Sequence, residues 1–153
     1  MKKTHIVLCL LIIIILIIIG TVLFNNSVEK NQVQIGNTIF SMPSGYSIRQ
    51  SNETEANITN GFNTIIISKC NNNTIQKQID DYKTLKEKDN NTIYVTNITI
   101  NNLIVYKATV TNNTSYIHYW FKYNDETYTV YSWNANKNMD EIVSELINKS
   151  NIH

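Results

Sequence analysis

The chain has 153 residues, a formal net charge of +1, 42 % hydrophobic residues and two cysteines. A near-neutral chain lacks the basic footprint of a nucleic-acid binder and the polybasic cluster of a lipid-headgroup binder, so no nucleic-acid partner is expected. Cys9 sits in an apolar run and Cys70 outside it, which excludes a disulfide within one domain; so few ligands also predict no metal and no cofactor.

Residues 1–5 form a short flank carrying Lys2 and Lys3. The stretch Ile6–Phe24 follows without a single charge. As a helix it would be roughly 28 Å long, close to the hydrocarbon core of a bilayer. A signal anchor over residues 6–24, bounded by Ile6 and Phe24 and centred near Leu16, is therefore expected. The two lysines favour keeping the flank in the cytoplasm, which puts the C-terminal domain outside a cell membrane crossed once. A cleaved secretory signal is the competing reading; the run exceeds a signal core and no A-x-A-like site follows it, so an uncleaved anchor is preferred. Residues 25–32 read as a linker and residues 33–150 as one extracytoplasmic domain. Setting Lys2 and Lys3 aside leaves eleven Lys and Arg against twelve Asp and Glu.

In the outer domain, Val33–Ile35 and Thr38–Met42 read as short strands joined by a turn at Gly36-Asn37. Pro43 and Gly45 end the second. Tyr46–Gln50 alternates with period two, as a half-buried strand does. Ser51–Asn63 is polar and reads as a loop, whereas Thr64–Lys69 is a β-branched run suited to a central strand. Asn73 with Gln76 forms a capping-box pattern, and Ile75, Ile79, Tyr82 and Leu85 then make one apolar stripe on a helix over Thr74–Lys88. Its charged face is solvated surface. Four strands follow as a meander: Thr92–Ile100, where the alternation of Ile93 and Val95 shifts to Ile98 and Ile100 and suggests a register change at Asn97, then Leu103–Thr111, Ser115–Tyr123 and Thr127–Trp133. The turn at Asn101-Asn102 tolerates left-handed geometry, and connections this short force antiparallel neighbours. Asn138 and Glu141 form a second capping box, with Ile142, Val143, Leu146 and Ile147 on the inner face of a last helix reaching Lys149. The fold class is α+β: a transmembrane helix, then an antiparallel sheet packed with two helices on one face. Nine N-x-S/T triplets, among them Asn57 and Asn97, are candidate glycan acceptors in a cell that glycosylates asparagine.

The segment from Ile35 to Tyr46, IGNTIFSMPSGY, resembles the G-x-x-F-x-(I/M)-P-x-G-(Y/F) opening of small extracytoplasmic domains in methanogenic archaea. Those domains often follow a single membrane span, and their layout is similar to the PsbP/Mog1 α/β/α sandwich. Tyr128–Tyr131 and the last helix match the closing part of that layout. The resemblance implies a fold and no catalytic motif.

The aromatic row of the third meander strand is the most distinctive patch. Tyr116, His118 and Trp120 share one face, and Ile117, Tyr119, Phe121 and Tyr123 share the other, so both are hidden only if the sheet is covered twice. An exposed Tyr116/Trp120 row with His118 would stack on sugars or on a protein; under a covering helix the same rings would only stabilise strands. His118 lacks companions for a metal site, and no nucleophile motif accompanies it. The expected function is a non-enzymatic, membrane-anchored extracytoplasmic domain contacting a protein or cell-envelope partner. The alternatives are a carbohydrate-binding module using the aromatic face and a small hydrolase using His118, with Cys70 as a conceivable partner.

Overall fold

The computed structural model describes residues 13–14, 31–71, 74–111, 117–132, 138–148 and 150–152. The chain divides into two compact units, Met1–Asn31 and Gln32–His153. In the first, Ile13 and Ile14 are helical and exposed. The anchor positions Ile6, Leu16 and Phe24 lie outside the described residues, among which no helix is long and apolar enough to cross a membrane.

The second unit holds two antiparallel sheets. Strands β1 (Gln32–Ile35), β2 (Thr38–Ser41) and β10 (Asn151–Ile152) form the small one, in the order β1-β2-β10. The large sheet uses β3 (Ser47–Ser51), β4 (Glu55–Thr59), β5 (Thr64–Lys69), β6 (Thr92–Ile100), β7 (Leu103–Thr111), β8 (Ile117–Tyr123) and β9 (Glu126–Ser132). Its order is β3-β4-β5-β9-β8-β7-β6. The meander's strand order is as expected, with β8 between β7 and β9, but the register change anticipated at Asn97 is absent: β6 pairs β7 without interruption from Thr92↔Thr111 to Ile100↔Leu103. Its turns use left-handed residues, Asn101 and Asn102 at φ 47° and 65°, and Asn124 and Asp125 at 51° and 61°. That geometry matches the right-handed twist of the strands it joins.

Two strands depart from the expectation. Residues Ser51–Asn63 are not one loop, because β4 runs through them with Ala56 and Ile58 fully buried. Two apolar residues in a polar pentapeptide are a faint period-two signal, and the strand exists because β3 and β5 both pair with it. Its flanking turn is closed by Asn52, whose Oδ1 accepts from Thr54 N at 2.8 Å and Glu55 N at 2.9 Å. The third strand of the small sheet, β10, follows the last helix and pairs with β2.

Helix α1 (Ile75–Glu87) and helix α2 (Met139–Asn148) cover opposite faces of the large sheet, not one. On one face, α2 buries Met139, Ile142, Val143, Leu146 and Ile147 against Val105, Tyr119, Phe121, Tyr128 and Val130, together with Val33, Ile35 and Phe40 of the small sheet. On the other, Ile79 of α1 packs with Ala108 and Trp120. The cause is in the strands, where both alternating sets are apolar and each needs a cover. Burying each aliphatic side chain of α2 contributes about 1.5–3 kcal/mol. The α1 cap is Thr74, one residue beyond the expected Asn73, and its hydroxyl accepts from Lys77 N at 3.3 Å. Gln76 bonds Asp80 instead of closing a capping box. Leu85, expected on the buried stripe, is 59 % exposed and lines an open cavity between α1 and the sheet with Ile117 and Tyr131.

Candidate functional site

Strand alternation places His118 and Trp120 under α1, and Tyr119 and Phe121 under α2. Three rings form a ladder across neighbouring strands. His118 stacks on Trp120 at 4.2 Å and on Tyr131 at 5.0 Å, with interplanar angles of 18° and 13°. Tyr82 of α1 closes it edge-on, 5.3 Å from Trp120 and 4.8 Å from His118. Trp120 is 1 % exposed. The carbohydrate-binding alternative is therefore corrected at Trp120, and the covered reading holds there: α1 lies over the indole, and the ring is core. Tyr116 lies outside the described residues.

His118 shares a hydrogen bond with the Thr129 hydroxyl. Burial, and then the charge of Lys86, lower its pKa from 6.5 to about 3, so the ring is neutral near pH 7. It borders a cavity of about 250 Å³ lined by Tyr82, Leu85, Lys86, Ile117 and Tyr131. Cys70 opens onto a different cavity, with Thr74, Ile75 and Lys122, that shares no lining residue with the first. Burial raises its thiol to about 11, leaving almost no thiolate at neutral pH. The structure thus does not assemble a Cys70–His118 pair. Among the described residues no cluster of three or more His, Cys, Asp or Glu is placed to hold a metal.

The half-buried, stacked ring makes a pH prediction. A base whose folded pKa lies below its unfolded value contributes full stability above the unfolded value, about 6.5. That stability is lost as pH falls from there toward about 3, because protons bind the unfolded chain first. The slope is at most about 1.4 kcal/mol per pH unit. Melting curves between pH 7.5 and 5 should fall for the natural chain and flatten for His118→Phe. Equal slopes would place His118 in water.

A second constellation was not visible in the sequence. It sits where the small sheet meets the strands β5 and β9. The Glu126 carboxylate, 13 % exposed, pairs with the Lys69 ammonium, accepts from Asn37 N at 2.9 Å and hydrogen-bonds the Tyr128 hydroxyl. That hydroxyl is also 3.0 Å from the Ile35 carbonyl oxygen and 2.9 Å from Thr38 Oγ1. Asn124 Nδ2 donates to the same Thr38 oxygen at 3.3 Å. Burial alone would raise the pKa of Glu126; its bonds with Lys69, Tyr128 and Asn37 outweigh this and hold it below the ordinary carboxylate value. Burial and the neighbouring carboxylate raise Tyr128. Gly36, at φ +58°, is required here, since a Cβ would collide with the Glu126 carboxylate. Glu126 and Tyr128 are two apart on one strand face, the single hint available from sequence; Thr38 and Lys69 are distant in the chain. A similar contact fixes α2. The Asp140 carboxylate accepts from the Tyr119 hydroxyl at 2.8 Å and from Lys107 Nζ at 2.7 Å.

Beside the Glu126 cluster lies a cleft of about 730 Å³ between the small sheet and the β3–β4 turn. Amide and hydroxyl side chains dominate its lining: Gln32, Gln34, Asn37, Ser51, Asn52 and Thr54, with Glu53 and Lys69 as the charged members. Such a surface offers donors and acceptors in both senses, which suits a polar polymer rather than a small apolar ligand.

No protein-family model matches the chain, and no curated protein matches it in sequence. Its structure is similar to a crystal structure from Bacteroides thetaiotaomicron, with 12 % identity and a TM-score of 0.52 over 80 % of this chain and 48 % of that one. The chain thus spans about half the length of that protein. The solution structure of cyanobacterial PsbP (CyanoP) from Synechocystis is also among the structural neighbours, at 10 % identity and a TM-score of 0.44, over 81 % of this chain and 94 % of that one. What the Bacteroides likeness carries is the fold: an α+β domain built on a large antiparallel sheet with helices.

Proposed function

We propose that this chain is a membrane-anchored extracytoplasmic interaction domain, without catalytic activity, that holds a protein or cell-envelope partner. The uncharged Ile6–Phe24 run behind Lys2 and Lys3 supports the single span and the outward domain. A PsbP/Mog1-like layout, of the kind found in small archaeal surface domains, belongs to the same reading. The two most reactive side-chain types argue for binding over chemistry: the His118 ring is stacked and hydrogen-bonded, and the Cys70 thiol is held protonated.

The observation that carries the reading is the polar cleft at the β3–β4 turn. Its partner is a chain that presents its own amides or hydroxyls along the cleft. Two measurements test this. Protease added to intact cells should remove the C-terminal domain; a domain cut only after lysis would overturn the topology. Capture of partners by the tagged full chain should then drop at least about five-fold in Gln34→Tyr with Glu53→Lys, which fills and recharges the cleft at solvent-accessible positions. Undiminished capture by that folded variant would overturn the cleft as the binding surface.

A further inference from the structure

The two edges of the large sheet are built differently. The β3 edge has five residues, carries Arg49 and is broken by a register shift between Ile48 and Gln50. Charges, short length and bulges are the usual devices that stop an edge from pairing with another chain. The β6 edge has none of them. It is nine residues long, TIYVTNITI, without a charge or a proline, and its pairing with β7 runs through nine positions with no bulge. Only β7 pairs with it among the described strands. From Ile93 to Thr99, alternate residues direct their backbone N–H and C=O groups away from β7. Tyr94 is 59 % exposed there, and Thr96, Asn97 and Thr99 are exposed with it.

We propose that β6 pairs antiparallel with β6 of a second copy of this chain, joining two seven-stranded sheets into one. A two-fold axis through Thr96, the middle residue of the strand, sets Tyr94 opposite Ile98 of the second copy and Ile93 opposite its Thr99. Aromatic–β-branched and β-branched–Thr pairs of this kind stabilise antiparallel sheets. Self-pairing brings every charge against its own like, and here there is none to oppose: the strand is uncharged and the whole chain has a formal net charge of +1. An edge destined for a charged partner segment would carry complementary charge, which β6 lacks.

The test uses the full chain in detergent, made in a host without asparagine glycosylation because a glycan on Asn97 would cap the edge. Sedimentation should give a dimer, and Asn97→Lys should weaken it at least ten-fold while the melting curve stays close to that of the natural chain. In a Cys9→Ser, Cys70→Ser background, Thr96→Cys should form a crosslinked dimer under mild oxidation, and Gln50→Cys on the opposite edge should not. A monomeric natural chain, an Asn97→Lys dimer of unchanged affinity, or equal crosslinking at both edges would each overturn the proposal.

Discussion

Trp120→Ala is expected to lower the unfolding free energy by about 3–5 kcal/mol, the range for truncating a buried tryptophan. The indole is fully covered, stacked on His118 and met edge-on by Tyr82, with Ala108 and Ile79 beside it. Removing it opens a cavity between sheet and α1 and strips both aromatic contacts at once. For a domain of roughly 120 residues this corresponds to a fall in melting temperature of roughly 10–20 °C. Trp120→Phe, which keeps a ring, should cost much less. An exposed sugar platform would behave in the opposite way: the alanine variant would melt within about 0.5 kcal/mol of the natural chain, as ordinary surface changes do. Urea unfolding of the two variants separates these outcomes.

Glu126→Ala should cost about 3 kcal/mol and loosen one region before the rest. The substitution removes the charged acceptor shared by Asn37 N, the Tyr128 hydroxyl and the Lys69 ammonium; the hydroxyl keeps the Ile35 carbonyl and Thr38, while the ammonium loses its ion pair. Because this cluster ties the β1–β2 turn to β5 and β9, hydrogen exchange should rise first in Ile35–Ser41 and later in the large sheet. Unchanged exchange in that segment would mean that apolar packing of Ile35 and Phe40 alone holds the small sheet. Glu126→Gln, which retains one acceptor, isolates the charge. A carboxylate whose folded pKa is depressed contributes fully above its unfolded value, about 4.3, and loses that contribution as pH falls through the folded one. The natural chain should therefore lose stability below about pH 4.3 more steeply than Glu126→Gln. Asp140 is also held low, against its own burial, by Lys107 and Tyr119. The difference between the two chains, rather than either curve, therefore reports Glu126. His118 acts over a wider window reaching to higher pH, and its phenylalanine variant removes that part.

Where the chain's local pattern was strong, the structure follows it. The β6–β9 meander was legible because alternating residues and Asn-rich turns specify strand and connection together, and the α2 stripe because Met139, Ile142, Val143, Leu146 and Ile147 all point to one side. β4 was illegible because its two buried residues, Ala56 and Ile58, are embedded in polar neighbours and their pairing partners lie on other strands. Leu85 was misplaced because a stripe on a helix does not say which of its residues will meet packed side chains and which an open cavity.

The candidate site divides along the same line. Alternation alone assigned His118 and Trp120 to one sheet face and Tyr119 and Phe121 to the other. Which face would meet water depended on where α1 came to rest, and that is a property of the assembled layers. The Glu126 cluster joins Thr38, Lys69 and Tyr128 across the chain, so no local window contains it. By itself, the amino-acid order determined the uncharged N-terminal run, the meander and the two faces of its strands, because these depend on near neighbours. Tertiary structure decided that each face has its own cover, that Trp120 is core, and that among the described residues the polar cleft and the β6 edge stay uncovered, because burial is set by whichever distant segment packs there.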